Sequence, residues 1–570
     1  MMVPCEAIFL PAFEAHRCGY LQEAEAGYRR VLKYDPRHAD ALHLLGLIHA
    51  GRGALPEAAA LMQQAVGITP TAVYFGNLGD VLRQQGLHAD AEAACRRAIQ
   101  LKHDHAPAHF NLGLLFMATG RRDEAEHALR QALMFAPASN DALNNLGVLL
   151  QGMGRVNEAE TAYRRAIGND PSYLRAHYNL GLLLLRAGRF GEAELAFRSA
   201  LEIDPAYADA QNDLGTALRE QHRYADAEAT YRSVLQQCPD FADARWNLAL
   251  LLLAQGRYAE GWQHAEARYD MHRTTPVLLP DPGYPQWRGE PLAGRSLVIC
   301  HEQGLGDSIQ FARYVPLLKA RGLRRLTLFC PEPLQELLKT LEGVDEAVCN
   351  MQEVGPHDFW SLSMSLPLHV GTTTANIPAR LPYLRALPDR VRRWRTCLPA
   401  HGIKVGLVWK GSTSHSHDAD RSLPGLLSLA PLWSVPDVTF VSLQKGQGED
   451  EPAALAKQLP MVCAAPDLTD LADTAALVSQ LDLVISVDTA VGHLAGALGK
   501  PCWLLLQKPW TDWRWMHGRT DSPWYPHVMR IYRQATPGDW AEVIGRVAVA
   551  LEQYGQWRIK LQTLATSEGL

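Results

Sequence analysis

The chain is short of paired cysteine, of long apolar runs and of excess charge of either sign, and each shortage removes a class of function. Its 10 cysteines in 570 residues form no C-x-x-C pair, so neither a disulfide framework nor a zinc site is indicated, and most read as small buried apolar residues in a reducing compartment. A net charge of −6 supplies no basic patch for nucleic acid or an acidic membrane surface. No apolar run approaches the ~20 residues that span a bilayer. The stretch 7–11 is apolar, but Glu6 precedes it, no basic flank is present and it is too short for a signal-peptide core, so a cytoplasmic protein is expected. What remains, at 47% hydrophobic and 20% charged residues, is a soluble globular chain of several domains.

What the chain does have is a period. Gly79, Gly113, Gly147, Gly181 and Gly215 fall 34 apart, with Gly46 one residue closer, and Ala24, Ala58, Ala91, Ala125, Ala159, Ala193 and Ala227 keep the same step. Pro36, Pro70, Pro137, Pro171, Pro205 and Pro239 close units, and Tyr28, Tyr163, Phe197 and Tyr231 follow the alanines by four. This pattern resembles the tetratricopeptide repeat and implies an all-α superhelix over 5–270, of seven units and a degenerate eighth in which Ala249 replaces the glycine. Gly and Ala let two helices approach, Pro stops the second helix, and the aromatic residue is expected to fill the gap to the next unit. Two residues before each glycine position stands an amide: Asn77, Asn111, Asn145, Asn179 and, in the last unit, Asn247, with Asp213 between them. An amide carries a donor and an acceptor, so this ladder suits an extended acceptor peptide on the concave face; the alternative is a local polar role.

Residues 271–294 hold five prolines with little periodicity and read as a semi-rigid linker. Beyond it the pattern becomes strand–helix alternation, twice. Strands are expected at 296–301, 326–330 and 346–349 in a first half (295–400), and at 404–409, 438–443 and 483–487 in a second (401–570), which implies two parallel sheets. A helix is expected over 308–319, and a terminal helix from about 539 is expected to cross back to the first half. The turn Gly304-Leu-Gly-Asp307 follows the first strand, where two glycines admit a close ligand and Asp307 serves either as a site residue or as a helix N-cap. The turn Asp488-Thr-Ala-Val-Gly-His493 follows a strand of the second half.

Together these two turns resemble the bacterial heptosyltransferases of glycosyltransferase family 9, and the whole layout is similar to protein O-linked N-acetylglucosamine transferases, whose own catalytic motifs are not evident. The resemblance implies a GT-B fold of two Rossmann-like halves, acceptor on the first and nucleotide sugar on the second, with Asp307 as catalytic base. Thr489, Ala490 and Gly492 would offer N–H groups to the donor phosphate, with His493 beside them. Asp488 would hold a ribose hydroxyl or cap its helix. Lys410 and Ser412 follow one second-half strand, and Gln444 and Lys445 another, placing Lys410, Gln444 and Lys445 among donor-binding candidates. Arg421 would neutralise diphosphate charge or lie on the surface. Asp418-Ala-Asp420 mimics a D-x-D metal motif, but the family works without metal, so no metal and no cofactor beyond the donor are expected. Trp510, Trp513, Trp515, Trp524 and Tyr525 stack a nucleobase or form core.

The functional expectation is an inverting glycosyltransferase acting on a Ser or Thr hydroxyl of a protein held by the repeats, with flagellin or another bacterial surface protein as an acceptor by analogy. The alternatives are a non-catalytic repeat scaffold with a degenerate transferase domain, or a transferase acting on lipopolysaccharide.

Overall fold

The computed structural model describes residues 5–415, 417–455 and 461–567, with side chains to 558; residues 568–570 of the second half lie outside the described residues. The chain divides into two compact units, 1–217 and 218–570. That division falls inside the repeats rather than at the linker. The reason is packing: Ala249, Leu253, Tyr258 and Trp262 of the final repeat share one core with Leu297, Phe311, Trp513 and Trp524 of the strand-bearing region.

Sixteen helices from Cys5–Arg17 to Tyr258–Ala265 form eight successive helical pairs. The glycine of each first helix is a contact requirement. A Cβ added at Gly147 would lie 2.5 Å from the ring of Tyr163, and one at Gly181 2.5 Å from that of Phe197. The aromatic residue therefore sits in the glycine notch of its own unit, not in the gap to the next as its spacing suggested; Met62, Cys95 and Leu129 take this place in other units. Adjacent units are joined by a second periodic device. Arg155 reaches Glu126 at 2.6 Å and Glu158 at 2.7 Å, and Arg189 reaches Glu160 at 2.5 Å and Glu192 at 2.6 Å. Arg121 bridges Glu92 and Glu124 in the same way.

In the second unit, β1 (Ser296–Cys300), β2 (Arg325–Phe329), β3 (Glu346–Val348) and β4 (Phe359–Leu362) make a parallel sheet of order β3-β2-β1-β4. A six-stranded parallel sheet follows. It contains β5 (Ile403–Val408), β6 (Val438–Ser442), β7 (Met461–Cys463), β8 (Leu483–Val487), β9 (Cys502–Leu506) and β10 (Met529–Arg533), in the order β10-β9-β8-β5-β6-β7. Counted within itself, each sheet reverses direction between its first and fourth strands, and such switch points open the crevice that holds ligands in doubly wound folds. The helix expected over 308–319 is two, Leu305–Ala312 and Val315–Ala320. Pro316 has no N–H to donate and its ring collides with the carbonyl a turn earlier, so one helix cannot run through.

The terminal helix Trp540–Ser567 shares a core with the six-stranded sheet through Val543, Ile544, Val547 and Leu551. Tyr554 Oη donates to the Asp482 carbonyl at 3.1 Å. Over 540–558 this helix therefore covers the second sheet rather than crossing to the first half. Among the described residues no helix is long and apolar enough to cross a membrane.

Candidate functional site

The turn after β1 begins with Gln303 in the left-handed region (φ 57). Gly304 is the N-cap, and the helix starts at Leu305, not Ser308. Asp307 thus stands inside the first helical turn, where its Oδ2 accepts the Gly304 N–H at 2.8 Å. It caps backward from within the helix and is not the N-cap itself. Gly306 is needed for a different approach. A Cβ there would lie 2.8 Å from Cδ2 of His493 and 3.5 Å from Cα of Ala490, so the turn after β1 lies directly on the helix Ala490–Ala497 that follows β8. The two switch-point loops meet at this contact.

The Asp307 carboxylate also accepts from Arg514, a residue the sequence reading passed over. The Arg514 side chain is only 5% exposed. Its Nε–H donates to Gln310 Oε1 at 2.5 Å, and its Nη1 to Asp512 Oδ1 and Oδ2 at 3.1 and 2.9 Å. Burial pushes the Asp307 carboxyl above the usual carboxylate range, with Arg514 opposing the rise and Asp512 and Glu302 adding to it. Loss of water around the group outweighs the helix dipole, which favours its charged form. A carboxylate shifted toward neutrality is the stronger base.

At the second turn Thr489 is the N-cap, without a side-chain capping bond. Its Oγ1 lies 3.0 Å from Ser486 Oγ. Asp488 does not cap the helix: its Oδ2 accepts Trp515 Nε1–H at 2.9 Å. Burial, with repulsion from Asp512, raises the Asp488 carboxyl to about 6. His493 is buried, its Nδ1 2.9 Å from Tyr525 Oη. Burial, then Arg514 and Arg313, hold its pKa well below the ordinary imidazole value. It is therefore a neutral ring packed under Gly306. Gly492 faces β9, where a Cβ would come 3.1 Å from Leu504.

The remaining second-half candidates divide into scaffold and surface. Gln444, 1% exposed, accepts the N–H groups of Trp409 and Lys410, both at 2.9 Å, and donates to the Lys410 and Gln447 carbonyls. It closes the backbone beyond β5 and β6. Lys410 pairs with Glu451 at 2.7 Å. Lys445 is exposed and pairs with Glu449 at 2.8 Å. Arg421 lies over Gly411, bonded to Asp418 at 3.1 Å, and Asp418 also accepts from Ser422. Trp513, Trp515, Trp524 and Tyr525 are buried core residues, while Trp510 stacks on His417 at 4.6 Å.

The amide ladder is tied into the repeats. Asn111 is buried and donates to the Gly76 carbonyl at 3.1 Å; Asn179 donates to Asn144 Oδ1 at 2.8 Å; Asn145 donates to the Asp141 carbonyl at 2.8 Å. Asn77 Nδ2 lies 2.9 Å from His43 Nε2. Asn247, in the other unit, is half-buried. The donors of the first four amides thus serve the array itself, the local role weighed against peptide binding.

Tetratricopeptide repeat families match residues 19–73, 82–148, 145–208, 184–235 and 212–269. Glycosyltransferase family 9 (heptosyltransferase) matches 437–505, which runs from β6 to β9 and contains Asp488 and His493 but not Asp307. The helical region is thus similar to tetratricopeptide repeats, and the α/β region carries a segment similar to glycosyltransferase family 9. Protein FlbA of Caulobacter vibrioides is 32% identical over 319 residues, 52% of this chain and 52% of that protein. Protein O-mannosyl-transferase Tmtc3 of Drosophila melanogaster is 37% identical over 94 residues, 16% of this chain and 10% of that protein. The chain therefore spans about half of FlbA and a tenth of Tmtc3. Among solved structures, the tetratricopeptide protein YrrB, with an unusual peptide-binding site, is 22% identical, covers 33% of this chain and 96% of its own, and has a TM-score of 0.29.

Proposed function

We propose that this chain is an inverting GT-B glycosyltransferase that moves a sugar from a nucleotide sugar to a Ser or Thr hydroxyl of a protein engaged by the repeats. One observation carries this reading. The Asp307 turn of the first sheet rests on the helix of the second sheet that lies within the family 9 match, so a carboxylate and the expected donor turn share one place. The carboxylate takes the acceptor hydroxyl proton as the oxygen attacks the anomeric carbon, and the bond from that carbon to the donor phosphate breaks on the opposite face. The N–H groups around Thr489, Ala490 and Gly492 then receive charge on the departing nucleoside diphosphate. His493, neutral and held by Tyr525, offers the phosphate a hydrogen bond rather than a charge. Lys410 and Arg421 lie near the turn after β5, each already paired with a carboxylate, Glu451 and Asp418. The relative named a protein O-mannosyl-transferase agrees with a protein hydroxyl as acceptor.

The test begins with thermal shifts against UDP, GDP, ADP and CMP and their sugars, because a ligand of the folded state raises its melting temperature with concentration. The stabilising sugar nucleotide is then given to wild type and Asp307→Asn with Ser- and Thr-containing peptides. Transfer is expected to fall about 10²–10⁴-fold in the variant with nucleotide binding retained. Full activity in Asp307→Asn overturns the base assignment, and the absence of any nucleotide effect favours a non-catalytic scaffold.

A further inference from the structure

We propose that Arg514 is the positioning residue for Asp307, and that the last two repeat units hold the loop that delivers it. The inference rests on the reading of Asp307 as the base, and it gives the end of the repeat array a part in catalysis beyond carrying an acceptor.

The guanidinium directs its donors to three side chains on two elements. Nε–H goes to Gln310, on the same helix as Asp307 but one turn on; Nη1 goes to Asp512 of its own loop; Nη2 goes to Asp307. A planar fork held at all three sides has one orientation, so it fixes the carboxylate that it touches. Trp513 lies under the guanidinium carbon at 4.5 Å and adds a further restraint.

Arg514 is carried by the segment between β9 and β10, in which Trp510 (φ 58) and Met516 (φ 50) adopt the positive-φ conformation that strains a non-glycine residue. Such a shape persists only where neighbours over-determine it, and here the repeats supply much of that constraint. Glu220 accepts the Trp510 N–H at 2.9 Å, and the Ala254 carbonyl accepts the His517 N–H at 3.1 Å. Tyr224 stacks on the His517 ring at 4.1 Å, its Oη 3.2 Å from Nδ1. From the sheet side, Arg533 donates to the Trp515 and Met516 carbonyls at 2.5 and 2.6 Å. The two strained residues therefore flank Arg514, and each lies beside a point where a repeat residue grips the backbone.

The experiment uses the full chain and two readouts. Hydrogen exchange needs no substrate. In Tyr224→Ala, and to a lesser degree in Tyr224→Phe, peptides covering 507–518 and then 303–312 are expected to exchange faster, while peptides before residue 217 keep their wild-type rates. In Arg514→Gln only the 303–312 side is expected to loosen beyond its own loop. Unchanged exchange at 303–312 in both Tyr224→Ala and Arg514→Gln overturns the proposal. The second readout is transfer from the sugar nucleotide found by thermal shift. A misplaced base lowers kcat about 10–100-fold with KM for the donor nearly unchanged, and Arg514→Lys recovers part of the loss because it keeps the charge without the fork. A rise in donor KM with kcat intact would make Arg514 a donor-binding residue and overturn the positioning role. If exchange responds as stated but Asp307→Asn is fully active, the base assignment fails while the mechanical link stands.

Discussion

The units before residue 217 and the units after it share one period, but the later ones add a second kind of fastening. The first repeats its fastenings: the Glu–Arg–Glu bridge of Arg121 recurs at Arg155 and Arg189, and the glycine notch recurs in unit after unit. The second carries the same bridge at Arg257, between Glu228 and Glu260 at 2.6 and 2.8 Å, and adds fastenings that occur once. Arg268, fully buried, donates from Nε and Nη2 to Glu302 at 2.7 and 3.1 Å and from Nη2 to Ser365 at 2.8 Å, joining the end of the array to the turn that leads into Gly304. A periodic structure spreads its stability over equivalent interfaces, so the loss of one is shared. A unique buried link has no substitute.

The largest effect is therefore expected at Arg268→Met, which leaves Glu302 buried without its partner and costs about 3–5 kcal/mol. The readout is selective, since all 14 tryptophans lie at or beyond residue 246 and tryptophan fluorescence during urea unfolding follows the second unit alone. A midpoint within error of wild type would break the comparison. Adding Glu302→Gln is expected to restore part of the loss.

A smaller effect of opposite sign is expected at Asp488→Asn. The folded carboxyl titrates at about 6 against an ordinary 3.8, so the folded state binds the proton more tightly than the unfolded chain. Wild-type stability accordingly falls as pH rises from about 4 to about 6 and stays lower above that. Asn needs no ionisation and still accepts from Trp515. The variant is expected to be more stable at pH 8 by about 1–3 kcal/mol, with the gain gone by pH 4. A gain that does not depend on pH would remove burial of the charge as its cause.

The smallest effect belongs to the periodic unit. Glu160→Gln weakens a bridge whose members are partly exposed and is expected to cost less than about 1 kcal/mol. Arg189, and then Arg164, hold the Glu160 carboxyl below its ordinary value. Its contribution is thus fully present above the unfolded carboxylate range and is lost as pH falls below that range through the lower folded value. Far-ultraviolet dichroism should show the difference at pH 7 and not near pH 3, with tryptophan fluorescence unmoved. A loss as large as that at Arg268 would show that the repeats lack the redundancy argued here.

Much of the site was legible because its signals are local. A glycine turn between an apolar run and a helical pattern marks the end of a strand wherever it occurs, and Asp307 and Asp488 both lie on such turns. β4 was missed because Phe359-Trp-Ser-Leu is four residues long with no alternation, and it is a strand only through its pairing with β1. Gln444 was read as a donor ligand from its place after a strand, yet its amide closes the neighbouring backbone, which spacing along the chain does not show.

The sequence by itself determined the repeat, its period, the glycine notches and the two strand-to-helix turns, because each depends on residues within one or two turns or within one 34-residue unit. Only the tertiary structure decided what those turns face. Arg514 stands 207 residues from Asp307, and no local periodicity links the two; their meeting requires both sheets to form and the Gly306 turn to lie on His493. The same holds for where the second unit begins. A residue's neighbours in sequence set its helix or strand, whereas the burial that shifts Asp307, Asp488 and His493 comes from chain segments that only folding brings together.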